Sequence, residues 1–171
     1  MAVRTADSTA TEALLDRAVG GGARQTTGLQ ARPGLRVAIV ACMDARLMVE
    51  DLLGLQAGEA HVIRNAGGLV TDDVIRSLAI SQRRLGTREI VVVRHTNCGM
   101  LGFDDAGFLA EVAADGRRPD WEPGGFHDLE QGVRVAVRDL GASPFLAHTD
   151  RIRGFVYDVA TGALDEVRAG R

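Results

Sequence analysis

The sequence predicts an α/β fold: a mostly parallel central sheet flanked by helices, with a C-terminal hairpin and an N-terminal helical arm. Three observations predict it. First, LRVAIVAC (35–42), AHVIRNAGG (60–68) and EIVVVRH (89–95) are apolar runs rather than alternating ones, as expected of strands covered on both faces in a parallel sheet. Second, TDDVIRSLAISQRRLG (71–86) between the last two places Val74, Ile75, Leu78, Gln82 and Leu85 on one helical face, which makes a βαβ unit. Third, RIRGFVYDVATGALDEV (151–167) alternates and turns at Thr161-Gly162, the pattern of a hairpin.

The remaining elements follow in order. Thr9-x-x-Glu12 is a capping box that opens a short helix over residues 9 to 19, carrying Leu14, Leu15 and Val19 and closed by Gly20-Gly21-Gly22. A Gly-rich polar stretch to residue 34 separates it from the first strand, so residues 1–34 read as a helical arm and linker and 35–171 as one catalytic α/β domain. The 71–86 helix has acids in its first turn and Gly86 at its end. DDAGFLAEVAAD and HDLEQGVRVAVRDL read as two further amphipathic helices, the second with Leu129, Val133, Val137 and Leu140 on one side. GRRPDWEPGGF between them is a loop holding the only Trp, Trp121.

Composition narrows the classes of function. A chain of 171 residues with 46% hydrophobic content can bury one sizeable core. Twenty basic residues, all Arg, against 23 acidic ones give a net charge of -3, no footprint for nucleic acid or an anionic membrane. The first residues lack the apolar core of a secretory signal, and no run approaches a membrane span, so a cytoplasmic location is expected. In that reducing compartment Cys42 and Cys98 are expected as free thiols, metal ligands or redox groups rather than a disulfide.

Ligands of open parallel sheets gather outside the carboxyl ends of the strands. Cys42 lies at the end of the first strand, His95 ends the third, and Cys98 follows three residues later in HTNCGM. If those strands are neighbours, two thiols and an imidazole share one crevice. Such a set suits zinc and leaves a fourth tetrahedral position open, whereas the spacing alone also admits buried free cysteines beside a core histidine.

CMDAR (42–46), RNAGG (64–68) and HTNCG (95–99), in that order and separation, resemble the signatures of the beta-class carbonic anhydrases, and the short chain is similar to their compact subtype. The likeness runs from about Val37 through Gly102. It implies one zinc ion per chain held by Cys42, His95 and Cys98, an Asp-Arg catalytic dyad at Asp44 and Arg46, no further cofactor, and an obligate homodimer or homotetramer with its sites at the dimer boundary. The implied activity is the reversible hydration of CO2 to bicarbonate and a proton, zinc lowering the pKa of its water to ~7 and the dyad orienting the resulting hydroxide. Arg46 would keep Asp44 ionised and away from the metal, although the family also contains forms in which this Asp closes the site. Hydrolysis of CS2 or COS on the same site is the alternative, as is a silent zinc-binding homologue, which would be expected to lack the dyad.

Within the motifs, Gly67, Gly68 and Gly99 read as backbone positions beside the metal loop, Met100 and Leu101 as apolar lining, and Arg64 and Asn65 as support for the site or a subunit contact. Asn97 stands where compact members tend to carry Asp, which removes any ion pair an acid there would make. His61, His127 and His148 are expected to be surface or packing residues, with none assigned as proton shuttle.

Overall fold

A computed structural model describes residues 9–19, 26 and 28–168. In chain order its elements are α1 (Ala10–Val19), β1 (Val37–Cys42), the single turn α2 (Val49–Leu52), β2 (Ala60–Asn65), α3 (Asp72–Leu85), β3 (Glu89–His95), α4 (Asp105–Ala114), α5 (Leu129–Ala142), β4 (Ile152–Tyr157) and β5 (Leu164–Glu166). The strands form one sheet ordered β2-β1-β3-β4-β5, in which the first four are parallel and β5 runs antiparallel to β4. The α/β class, the parallel sheet and the terminal hairpin are therefore as the apolar patterns predict.

Burial explains why β1 takes the second position. Ala38, Ile39, Val40 and Ala41 are all buried, and successive side chains point to opposite faces. Ala38 and Val40, with Ile90 and Val92 of β3, pack against Val74 and Leu78 of α3 and Ala136 and Leu140 of α5. Ile39, Ala41 and Val93 join Leu47, Val49 and Leu55 on the other face. Removing a side chain such as that of Leu78 from this core would cost about 2–5 kcal/mol.

Helix α3 is bounded by its own chemistry: the Thr71 side chain accepts from Val74 N, and Gly86 takes the left-handed C-cap conformation. Gln82, a polar residue on its core face, is satisfied because its Oε1 accepts from Ala147 N and His148 N while its Nε2 donates to His148 O. The capping box of α1 also forms, with Thr9 N donating to Glu12 Oε2 and Glu12 N to Thr9 Oγ1. Leu14 and Leu15 of that helix are exposed, while Gly20, Gly21 and Gly22 lie outside the described residues.

Two features depart from the sequence reading. Helix α4 forms but buries none of its residues, because Phe108 packs edge-on against Phe103 and beside Trp121 rather than into the sheet's core. The α2 turn has too few residues to show a helical period, so nothing in the sequence pattern marks it.

Order 2-1-3 makes the carboxyl ends of β1 and β3 a topological switch point, where a crevice opens in a doubly wound sheet. The 3-10 turn Ala66–Gly68 after β2 lies against the ends of β1 and β3. At Gly68, φ is +60°, and a Cβ would lie 3.1–3.3 Å from Cys42 N, Ala41 C and Val93 O, all backbone atoms. Gly162 in the hairpin has φ +77° but nothing within 4 Å of a Cβ. Gly162→Ala is therefore expected to cost about 1–2 kcal/mol, the left-handed conformation alone, and Gly68→Ala distinctly more. Urea unfolding of both variants checks this, and equal losses would contradict it.

Candidate metal centre

Pairing of β1 with β3 brings the predicted residues together. The metal-capable atoms of Cys42, His95 and Cys98, all three buried, lie within 4.8 Å of one another. The two Sγ atoms are 3.9 Å apart and the cysteines are free. That separation is far beyond a disulfide bond, and it matches the roughly 3.8 Å expected between two thiolates at ~2.3 Å from one tetrahedral zinc.

The histidine is oriented from behind. His95 Nδ1 lies 2.9 Å from the carbonyl oxygen of Thr96, which can only accept, so Nδ1 carries the proton and Nε2 keeps its lone pair. Among the described residues Nε2 is buried without a hydrogen-bond partner, an arrangement that a cation in the cradle would resolve. Thr96 is fixed in turn, its Oγ1 accepting from Val159 N. Burial lowers the pKa of His95, which favours the neutral, ligating imidazole. Burial raises that of the Cys98 thiol, so thiolate formation needs a compensating positive charge.

Asp44 stands beside this cluster, its Oδ2 3.8 Å from His95 Nε2. Both its oxygens are engaged by Arg46: Oδ1 accepts from the backbone N and from Nε, each at 2.9 Å, and Oδ2 from Nη2 at 2.7 Å. The side-chain and backbone hydrogen bonds of Arg46 hold the Asp44 carboxyl well below the usual carboxylate range. Arg46 Nη2 also donates to the carbonyl of Asn97.

Arg64 and Asn65, whose motif admits either site support or a subunit contact, both brace the main chain around the cradle. Arg64 donates through Nε to Cys42 O and through Nη2 to Asp44 O, bracing the main chain on either side of Met43. Asn65 closes the turn after β2 by a two-way bond between its side-chain amide and the backbone of Leu69. Asn97 has φ +54°, a left-handed conformation that Asn tolerates, and its backbone carbonyl makes the contact with Arg46. The hydrogen bonds of Thr96 O and Asn97 O are main-chain contacts, which side-chain motifs do not announce. Met100, with Met43, Phe103, Phe108 and Trp121, lines an apolar cavity of about 420 Å³; Leu101 is instead paired in a bridge with Phe126. His61 is a packing residue, between Ser81 Oγ and Ala31 O.

A carbonic anhydrase family model matches residues 37–116. Beta-carbonic anhydrase 1 of Mycobacterium tuberculosis is 56% identical over 136 residues, which cover 79% of this chain and 83% of that one. The chain belongs to the beta-class carbonic anhydrase family. A carbonic anhydrase of Streptococcus mutans superposes with a TM-score of 0.77 at 45% identity, covering 93% of each chain. Another relative, named carbon disulfide hydrolase, from Saccharolobus solfataricus, is 52% identical and covers 75% of this chain and 76% of its own. A zinc ion taken up by this Cys/His/Cys group would require its thiols to lose protons. Zinc affinity, read by chelator competition, is therefore expected to rise from pH 6 to pH 8 with proton release, given the raised Cys98 pKa. A pH-independent affinity would contradict thiolate ligation.

Proposed function

We propose that this protein catalyses the reversible hydration of CO2 to bicarbonate and a proton, with one zinc ion per chain held by Cys42, His95 and Cys98. The observation that carries the reading is the convergence of those three donors beside an Asp44 carboxylate clamped by Arg46, in a member of the carbonic anhydrase family. A zinc ion in the cradle supplies Lewis-acid chemistry that yields hydroxide from water near neutral pH.

The chain's own residues do the rest. Asp44 accepts a hydrogen bond from the reacting water and so turns an oxygen lone pair toward CO2. Arg46 occupies both carboxylate oxygens, which keeps Asp44 ionised and off the metal cradle. Arg64 fixes the peptide that carries Asp44, and the Thr96 carbonyl keeps His95 in its ligating tautomer. The apolar wall of Met43, Met100 and Phe103 is suited to a linear, uncharged substrate.

Stopped-flow measurement should show CO2 hydration by the zinc-loaded protein, abolished in Cys98→Ser and reduced by about 10²-fold or more in Asp44→Asn with zinc retained. Zinc-loaded protein inert toward CO2 from neutral to alkaline pH would sink the reading. The relatives named carbon disulfide hydrolase favour CS2 as a second substrate, another linear apolar triatomic molecule. Sulfide release from CS2 exceeding the hydration rate would make that the principal activity.

For organisation, we assign residues 1–34 to an arm and linker and 35–171 to the catalytic domain, assembled as a homodimer or homotetramer. The exposed Leu14 and Leu15 support an arm that packs on another copy. Sedimentation at micromolar concentration is expected to show dimer or tetramer, and a pure monomer would contradict the assignment. A cytoplasmic location fits the two unpaired thiols. Among the described residues no helix is long and apolar enough to cross a membrane.

A further inference from the structure

We propose that the cavity at the head of α5 is a binding site for a small oxyanion, held by the guanidinium of Arg94. Arg94 immediately precedes His95 on β3, so strand alternation sends its side chain to the opposite face of the sheet, toward α5. It is only 4% exposed, and its Nε and Nη1 are buried without hydrogen-bond partners among the described residues. It makes no ion pair there either; its compensation is a stack over the Phe126 ring, 4.3 Å from the centroid.

The neighbouring helix deepens the imbalance. Nη1 lies against Gly132 in the first turns of α5, where any Cβ would overlap it. The Asp128 side chain caps only Gln131 N, so the first-turn N–H groups of Leu129 and Glu130 have no acceptor within the helix. A buried cation thus faces the positive end of a helix dipole, and both features favour an anion between them.

The space is present. A cavity of about 390 Å³ is lined by Arg94, Gly124, Gly125, His127, Gln131 and Gly132 among others, and the three glycines put no side chain into it. Asp128 also faces this cavity, which confines the anion to the Arg94 end. The site lies across the sheet from the metal cradle and would take a planar carboxylate such as bicarbonate or a tetrahedral anion such as phosphate.

The test uses the zinc-loaded full chain and reads binding rather than turnover, so it stands or falls apart from the hydration reading. Crystals grown without oxyanions and soaked in selenate are expected to show anomalous density hydrogen-bonded to Arg94. Calorimetric titrations with inorganic phosphate and with bicarbonate, on the wild type and Arg94→Met, should show at least one anion binding about tenfold or more tighter to the wild type; which anion does so identifies the class. Only water at Arg94 after the soak would overturn the proposal, as would a carboxylate of this chain or of a second copy paired with it. Density in the crystal without binding in solution marks an adventitious ion only and equally overturns it, as does unchanged affinity in Arg94→Met. The soak needs no variant, so the proposal remains testable if Arg94→Met fails to fold.

Discussion

Parallel pairing of β1 with β3 is the constraint on which the site depends. The register sets Ala41 beside Val93, so Cys42 leaves the sheet one residue past that pair and His95 two, within a single residue of each other. Because β1 is flanked on both sides, by β2 and β3, its end cannot shift without breaking hydrogen bonds on two ladders. Slippage by one residue would also turn Ile39 and Ala41 to the wrong face of the core. The hydrophobic core and the position of the thiols are therefore set by the same ladder.

Upon that frame sits a layer of arginine contacts that organises charge. Arg46 holds the Asp44 carboxylate and reaches the peptide of Asn97, while Arg64 holds the carbonyls of Cys42 and Asp44. The loop after β1 is thereby tied both to β2 and to the loop after β3. Guanidinium groups suit this work because one planar fork can serve a carboxylate and a carbonyl together. Ammonium groups would supply the charge but not the fixed directions.

Much of this was legible in the sequence, for identifiable reasons. Strands buried on both faces write themselves as apolar runs, and α3 is delimited by Thr71 and Gly86, whose roles are local. Cys42, His95 and Cys98 were legible as a candidate set from their places at and just beyond strand ends and from the resemblance carried by CMDAR, RNAGG and HTNCG, and the fold brings their ligand atoms together. Arg64 was visible only as a member of RNAGG, since its partners are backbone oxygens twenty and twenty-two residues earlier in the chain. The carbonyls of Thr96 and Asn97 carry no residue-type signal at all. Helix α4 was legible as a helix but not as one with no fully buried residue, because its Phe108 finds aromatic neighbours from loops rather than the sheet.

The backbone of Asn97 has a consequence for how the site can vary. What Arg46 reads at that position is the direction of a peptide carbonyl, set by a φ of +54°, and not the chemistry of a side chain. Residues that tolerate a left-handed twist, namely Asn, Asp and Gly, are then geometrically equivalent there. The formal charge at the rim of this loop is free to drift between neutral and negative while the Asp44–Arg46 ion pair keeps its shape. Position 97 thus acts as an electrostatic dial uncoupled from the scaffold that holds it.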